Sequence, residues 1–227
     1  MAPHVYLITG ANKGLGYEAV RILAECFRDN AIVLLGARSH ERGKAALAKI
    51  RQSNPSFDYA NVHLVQIDVS KLDSIQAAAD FDKATYGNVH VLINNAALTT
   101  HAEGPEMCFQ VNVFGVYDTL NVFYPLLVPH ESSNIVVASV AGAWTLSAMS
   151  CDLQAIFEDF TALDNATVRG LLNDWLAAYE GKPSKYTWPS PEASTRAYGI
   201  SKTAVMALTR KWTVEHPDIK TTIVCPG

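Results

Sequence analysis

Tyr198 and Lys202 stand four residues apart, a spacing that places both on one face of a helix within contact distance. A free phenol titrates near ~10, so it is a poor base and a sluggish acid at neutral pH. Moving one to about 7 takes roughly 3 units, about 4 kcal/mol. One ammonium at ~4 Å, at an effective dielectric near ~20, supplies about that much. The pair is adequate for proton transfer, although exposed Tyr and Lys also meet at this spacing by chance. Its weight therefore depends on its company. Ser139 ends a strand pattern, where its hydroxyl can hydrogen-bond and position a substrate carbonyl. Asn112 sits among Phe109, Val111, Val113 and Phe114. A buried amide left unpaired costs about 1–3 kcal/mol. A water bridging to Lys202 would satisfy it and open a proton path. The plainer alternative is a satisfied core asparagine.

A second cluster lies near the N-terminus. Thr9-Gly10-Ala11-Asn12-Lys13-Gly14-Leu15-Gly16 joins a strand pattern to a helical one. Gly10 permits a tight turn, Gly14 lets the backbone approach a pyrophosphate, and Gly16 allows helix to pack closely on strand. The helix N-terminus then offers free N–H groups and partial positive charge to phosphates. Glycine triplets alone are weak, because turns use glycine anyway. This one sits at the first strand-to-helix turn, which makes dinucleotide binding the expectation, with Asn12, Lys13 and Leu15 in the same loop. NAD sites place an acid at the end of the second strand. This chain has Gly36-Ala37-Arg38-Ser39 instead. Arg38 can pair with a 2′-phosphate and Lys13 can add a second charge, so NADP(H) is expected over NAD(H). The alternative is two solvated surface cations. Asp68 and Val69 follow the third strand, where the carboxylate can read an adenine amino group or simply cap a helix. Asn94-Asn95-Ala96-Ala97 follows the fourth. Its asparagines can tie strand ends together and its alanines leave room for a flat ring, with an Asx turn the competitor at Asn94.

The elements that must hold these residues alternate. Strand patterns are Val5–Thr9, Ile32–Ala37, Val62–Val69, Val89–Ile93, Asn134–Ser139 and Thr221–Cys225. Helical patterns run over Leu15–Phe27, His40–Arg51, Asp73–Tyr86, about Glu106–Leu127, and through Thr203–Glu215 from a few residues earlier. Apolar strands alternating with helices predict an α/β fold, a Rossmann-type doubly wound parallel sheet with helices on both faces. Ligands then bind outside the carboxyl ends of the strands, which is where Gly10, Ala37, Asp68, Asn94, Ser139 and Pro226 fall. Between Ser139 and Tyr198 the rhythm breaks. Two amphipathic stretches, Leu153–Phe160 and Val168–Tyr179, precede an extended Pro-rich piece from Lys182 to Pro191 holding Trp188. A structureless loop of that length is unusual in a compact domain, so a helical insertion, about residues 144–196, is expected before the tyrosine.

Bulk properties narrow the class. The 227 residues suit one α/β domain over 1–227, and a 49% hydrophobic share argues against disorder. A net charge of −4 gives no support to nucleic-acid binding. No run approaches the ~20 apolar residues of a membrane span, and Met1 leads straight into a strand without a signal layout, so a cytoplasmic protein is expected. Cys26, Cys108, Cys151 and Cys225 are scattered and the histidines lack ligand spacing, so ordinary thiols and no metal are expected.

Taken together, Thr9-Gly10-x3-Gly14-x-Gly16, Asn94-Asn95-Ala96, Asn112, Ser139 and Tyr198-x3-Lys202 resemble the short-chain dehydrogenase/reductase family, in the family's order. Within it the chain looks most like the NADPH-dependent carbonyl reductases. Gly10-Ala11-Asn12-Lys13-Gly14-Leu15-Gly16, Ala37-Arg38, Asn112-Val113-Phe114-Gly115 and the insertion ahead of Ala197-Tyr198-Gly199-Ile200-Ser201-Lys202 carry that likeness. The resemblance implies Tyr198 as acid/base, Lys202 on the nicotinamide ribose, Ser139 on the carbonyl and Asn112 in a relay. It places Pro226 and Gly227 at the cofactor too. It also implies a monomer, because the insertion covers a helix face that relatives use to oligomerise. Two departures stand out. Ala97 replaces the family's usual glycine. The chain also stops at Cys225-Pro226-Gly227, where relatives continue into a substrate-covering segment. The leading expectation is NADPH-dependent reduction of an aldehyde, ketone or quinone, with Tyr198 as proton donor. The alternatives are an NADP-dependent alcohol dehydrogenase and a truncated, non-catalytic cofactor-binding protein.

Overall fold

The computed structural model describes residues 2–99, 103–189 and 196–226, with Arg196 described by its backbone alone. Gly227 and the end of the Pro-rich piece, residues 190 and 191, therefore lie outside the described residues. Six strands form one sheet: β1 (His4–Ile8), β2 (Ala31–Ala37), β3 (Val62–Gln66), β4 (Val91–Asn94), β5 (Ser133–Val137) and β6 (Lys220–Val224). Their order is β3-β2-β1-β4-β5-β6, and β1 pairs in parallel with β2 and with β4, β2 with β3, and β4 with β5. The expected Rossmann-type sheet is therefore present. Its strand order reverses between β1 and β4: the chain runs from β1 outward to β3 on one side and from β4 outward to β6 on the other. That is the switch point at which such sheets bind ligands.

Three strand-to-helix units build the first half: α1 (Gly14–Phe27), α2 (His40–Ser53) and α3 (Leu72–Tyr86). Ser39 caps α2 by accepting the Arg42 N–H, and Gly87, at φ +83°, ends α3. The expected strand Val62–Val69 stops at Gln66, which pairs with Ala37, the last residue of β2. The Ile67 N–H still reaches the Ala37 carbonyl at 3.0 Å. Beyond it β2 gives way to the turn leading into α2. Ile67 and Val69 are buried without being in a ladder, so apolar pattern alone overran the strand.

The predicted helix over Glu106–Leu127 is broken into α4 (Gly104–Phe109), a π-turn (Gln110–Phe114) and α5 (Gly115–Phe123), with a short 3₁₀ turn at Tyr124–Leu126. The insertion holds α7 (Cys151–Glu158) and α8 (Asn165–Tyr179) close to the two expected stretches. It also holds α6 (Val140–Ser147), which the sequence reading missed. The segment VAGAWTLS is apolar on nearly all sides, so it shows no amphipathic stripe. Helix α9 (Arg196–Glu215) carries Tyr198 and Lys202.

The chain divides into two compact units. The first comprises Met1–Ala96, Asp118–Val136 and Asp218–Thr222, and the second Ala97–Tyr117, Val137–Pro217 and Ile223–Gly227. The first unit's core includes Ile8, Val20, Val33, Leu35 and Ile50. The second unit's core joins Phe109, Val113, Leu153, Phe157, Trp175 and Leu208. No described helix is long and apolar enough to cross a membrane.

Candidate active site

The first unit carries the glycine loop, and the loop fits a bound pyrophosphate. Gly10 and Gly14 hold left-handed φ of +64° and +59°. A Cβ on Gly10 would lie 2.7 Å from the Ala96 Cα, so only glycine allows the loop to close on the end of β4. A Cβ on Gly14 would meet nothing within 4 Å, which leaves its backbone open to an approaching group. Gly16 packs beneath Asn95, whose Nδ2 would lie 2.5 Å from an added Cβ. Helix α1 starts at Gly14 with no side-chain cap and no acid in its first turn, so its N-terminal N–H groups and dipole are available to an anion. Leu15 is 59% exposed and Lys13 is exposed beside it. Asn12 is half-buried.

Several of the expected residues serve the chain's own backbone. Asn95 donates its Nδ2 to the Thr9 carbonyl at 2.9 Å and the Gly10 carbonyl at 3.3 Å. Thr9 Oγ1 accepts the N–H of Asn95 at 3.0 Å and of Ala96 at 3.1 Å. Asn95 and Ala96 thus fasten the loop to β4. Asn94 is no Asx turn: its Nδ2 reaches the Asn134 Oδ1 at 3.1 Å and ties β4 to β5. Asp68 does not cap α3, whose N-cap is Lys71. Its Oδ1 accepts the N–H and hydroxyl of Ser70 and shapes the turn after β3, next to buried Val69. Arg38 is exposed directly after β2, and no acid stands at that position.

The second unit holds the residues expected to transfer a proton. Lys202 is only 3% exposed, yet its Nζ donates to the Val137 carbonyl at 2.8 Å. The ammonium lies 5.5 Å from the Tyr198 ring centroid. Burial pushes Lys202 down to about 8, against weaker upward pulls from Cys108 and Cys225. Tyr198 itself is half-buried. Ser139 is the N-cap of α6: its Oγ accepts the Ala141 N–H at 3.2 Å. Capping uses a lone pair and leaves the hydroxyl proton for another acceptor. Pro226 is exposed two residues after β6.

Helices α6 and α9 meet through two glycines the sequence reading passed over. A Cβ on Gly142 would stand 2.7 Å from the Lys202 carbonyl carbon, and one on Gly199 would stand 2.1 Å from Thr145 Oγ1. Thr203 Oγ1 bridges the pair, lying 2.8 Å from the Gly142 carbonyl and 3.2 Å from the Gly199 carbonyl. The helix behind Ser139 is therefore pressed against the turn between Tyr198 and Lys202. Small residues separated by three or four positions were the available signal.

Asn112 lies in the π-turn and is 1% exposed. The expected bridging water is not what satisfies its side chain. Oδ1 accepts the Leu98 N–H at 2.8 Å, and Nδ2 lies 2.9 Å from the Leu98 carbonyl and 3.0 Å from Ser201 Oγ. The amide is thus consumed by protein partners.

All four cysteines are free: Cys108 is buried, and Cys26, Cys151 and Cys225 are exposed. Among the described residues no group of three or more His, Cys, Asp or Glu could hold a metal ion.

A parallel sheet of order 3-2-1-4-5-6, a glycine loop at its switch point and a Tyr-x3-Lys helix define a nicotinamide-dependent oxidoreductase class, and comparison agrees. A family model described as short chain dehydrogenase matches residues 4–151. The chain belongs to the short-chain dehydrogenase/reductase family. It is 30% identical to short-chain dehydrogenase/reductase 1 of Saponaria officinalis, over 97% of this chain and 80% of that protein. It is 33% identical to carbonyl reductase (NADPH) 1 of Homo sapiens, over 91% of this chain and 73% of that one. The structure of salutaridine reductase from Papaver somniferum matches with a TM-score of 0.83 at 25% identity, covering 99% of this chain and 86% of its own. Menthone neomenthol reductase from Mentha piperita matches at 0.84 and 24% identity, covering 100% and 90%, a likeness of fold.

Proposed function

We propose that this chain reduces a carbonyl group of a small molecule, an aldehyde, ketone or quinone, with NADPH as cofactor. The buried Lys202 ammonium beside Tyr198 carries this reading. When bound, NADPH supplies the hydride that goes to the carbonyl carbon. Tyr198 donates its hydroxyl proton to the carbonyl oxygen, and Lys202 stabilises the phenolate left behind. With one Nζ proton anchored on the Val137 carbonyl, the ammonium is held in place rather than swinging freely. Ser139 directs its remaining hydroxyl proton toward the same carbonyl oxygen, which fixes the substrate and polarises the bond. Asn112 acts through its backbone in returning a proton to Tyr198. Gly14, Leu15 and Gly16 offer their N–H groups to the pyrophosphate, together with Gly10, Asn12 and Lys13 of the same loop. Arg38 and Lys13 would take the 2′-phosphate, and Asp68 with Val69 would border the adenine. Asn95 and Ala96 hold the loop that would do this, and Pro226 would border the nicotinamide end; Gly227, expected there too, lies outside the described residues. The NADPH-named carbonyl reductase relative supports the cofactor choice. In this reading the protein is a cytoplasmic monomer working as one catalytic domain.

The test is NADPH consumption over a panel of aldehydes, ketones and quinones. Tyr198→Phe should lose about 10²-fold or more of kcat. A variant with full rate would remove Tyr198 from the mechanism. Arg38→Asp should raise the Michaelis constant for NADPH far more than for NADH, and equal changes would refute the 2′-phosphate reading.

A further inference from the structure

Ser201 lies between Tyr198 and Lys202 in sequence and is fully buried. Its Oγ donates to the Tyr198 carbonyl at 2.7 Å and, with that proton committed, accepts from Asn112 Nδ2 at 3.0 Å. The same amide grips the Leu98 backbone at both its N–H and its carbonyl. Cys108 Sγ closes the cluster, 3.3 Å from Asn112 Nδ2, 3.6 Å from the Leu98 carbonyl and 3.7 Å from Ser201 Oγ. One hydroxyl thus connects three segments: the first turn of α9, the π-turn, and the backbone that follows β4.

We propose that Ser201 is a positioning residue of the proton-transfer pair, locking the first turn of α9 to the Leu98 backbone through the Asn112 side chain. A helix carries 3.6 residues per turn, so each residue fixes about 100° of rotation. Ser201 points into the cluster. That sets the direction in which Tyr198 and Lys202, three before it and one after it, leave the helix. Its exchange for alanine nearly keeps the shape of the core; it removes the lock and leaves an Asn112 Nδ2 proton without its oxygen acceptor. The proposal rests on the reductase reading for its kinetic consequence, but the lock itself does not.

Three variants and two readouts test it. Ser201→Ala should lower kcat about 10- to 100-fold with the carbonyl KM within about twofold, the pattern of misplaced reacting groups rather than lost binding. The pH midpoint of kcat should move with it. Ser201→Thr keeps the hydroxyl and should restore most of the rate. If its added methyl lowers thermal stability, Ser201→Cys, a weak donor of near-serine size, should fall between wild type and alanine. Independently of turnover, hydrogen exchange at the Leu98 amide should rise at least about 10-fold in Ser201→Ala, although Leu98 and Ser201 are remote in sequence. Unchanged Leu98 exchange would overturn the lock. Unchanged kcat, or a loss that neither hydroxyl nor thiol relieves, would overturn its role in positioning. If wild type turns over no carbonyl, the reductase reading fails while the exchange experiment still decides whether the lock exists.

Discussion

Asp82 lies on the buried face of α3 with Ile75, Ala78 and Ala79, and is 1% exposed. Among the described residues, neither carboxylate oxygen has a hydrogen-bond partner. Burial without compensation disfavours the charged form, and it pushes the Asp82 carboxyl from 3.8 up to about 7. The native state therefore keeps a proton that the unfolded chain gives up. Stability is unaffected below the unfolded value and falls as pH climbs toward the native one. Three units correspond to about 4 kcal/mol in total, of which roughly 2–3 kcal/mol develops between pH 5 and pH 8. Asp82→Asn has nearly the same shape and cannot ionise. Its own packing and desolvation effects are the same at every pH, so they cancel when two pH values are compared. Urea titrations of wild type and variant at pH 5 and pH 8 should show the variant gaining roughly 2–3 kcal/mol relative to wild type at the higher pH. A difference that does not change with pH would mean Asp82 has a partner or is solvated, and would refute the argument.

Other consequences follow from the same packing and charge accounting. Gly199→Ala places a Cβ 2.1 Å from Thr145 Oγ1 and must displace that hydroxyl from its bond to the Ala141 carbonyl, costing about 1–3 kcal/mol in thermal unfolding; kcat should fall while the cofactor Kd stays near wild type. Asp174 accepts the Lys185 N–H at 2.6 Å, the Tyr186 N–H at 3.2 Å and the Trp188 indole N–H at 2.8 Å. Although burial raises its carboxyl, these three donors outweigh that and hold it below the ordinary range. Asp174→Ala should cost about 1–3 kcal/mol and deprotect the 184–189 segment in hydrogen exchange. Lys202, brought to about 8 by burial, should lose its charge as pH rises through that value, so NADPH affinity should weaken between pH 7 and 9. Fluorescence titration reads this, and in Lys202→Met the affinity should be flat across that range.

How far the sequence carried depended on whether a feature is local. The glycine loop, Arg38 after a strand and the Tyr198–Lys202 spacing are complete within a few residues, and each sits where that local pattern puts it. Strand and helix order was equally legible, because buried parallel strands read as apolar runs between helical patterns. What escaped detection depends on partners far away in the chain. Asn112 was legible as a buried amide in need of partners. That those partners are Leu98 and Ser201 depends on how the π-turn and α9 are brought together. Helix α6 left no stripe because both its faces are apolar, and Gly142 and Gly199 look like ordinary helix interruptions until the crossing of α6 on α9 requires them.

Hydrogen-bonding capacity then separates the residues that chemistry can use from those that build the site. Asn94 spends its amide on Asn134, Asn95 on the glycine loop, and Asn112 on Leu98 and Ser201. In each of the three the Nδ2 is given to the protein's own framework. Ser139 spends a lone pair on its helix cap and retains a proton, which makes it a donor rather than a base. Lys202 gives one proton of three to Val137, enough to fix the ammonium without neutralising it. A polar residue at a strand end is thus only a candidate until its donors and acceptors are counted. Under the proposed reduction, Ser139 keeps a proton to donate and Lys202 keeps its charge. In that reading Tyr198, 5.5 Å from the ammonium at its ring centroid, is the group that exchanges a proton with substrate.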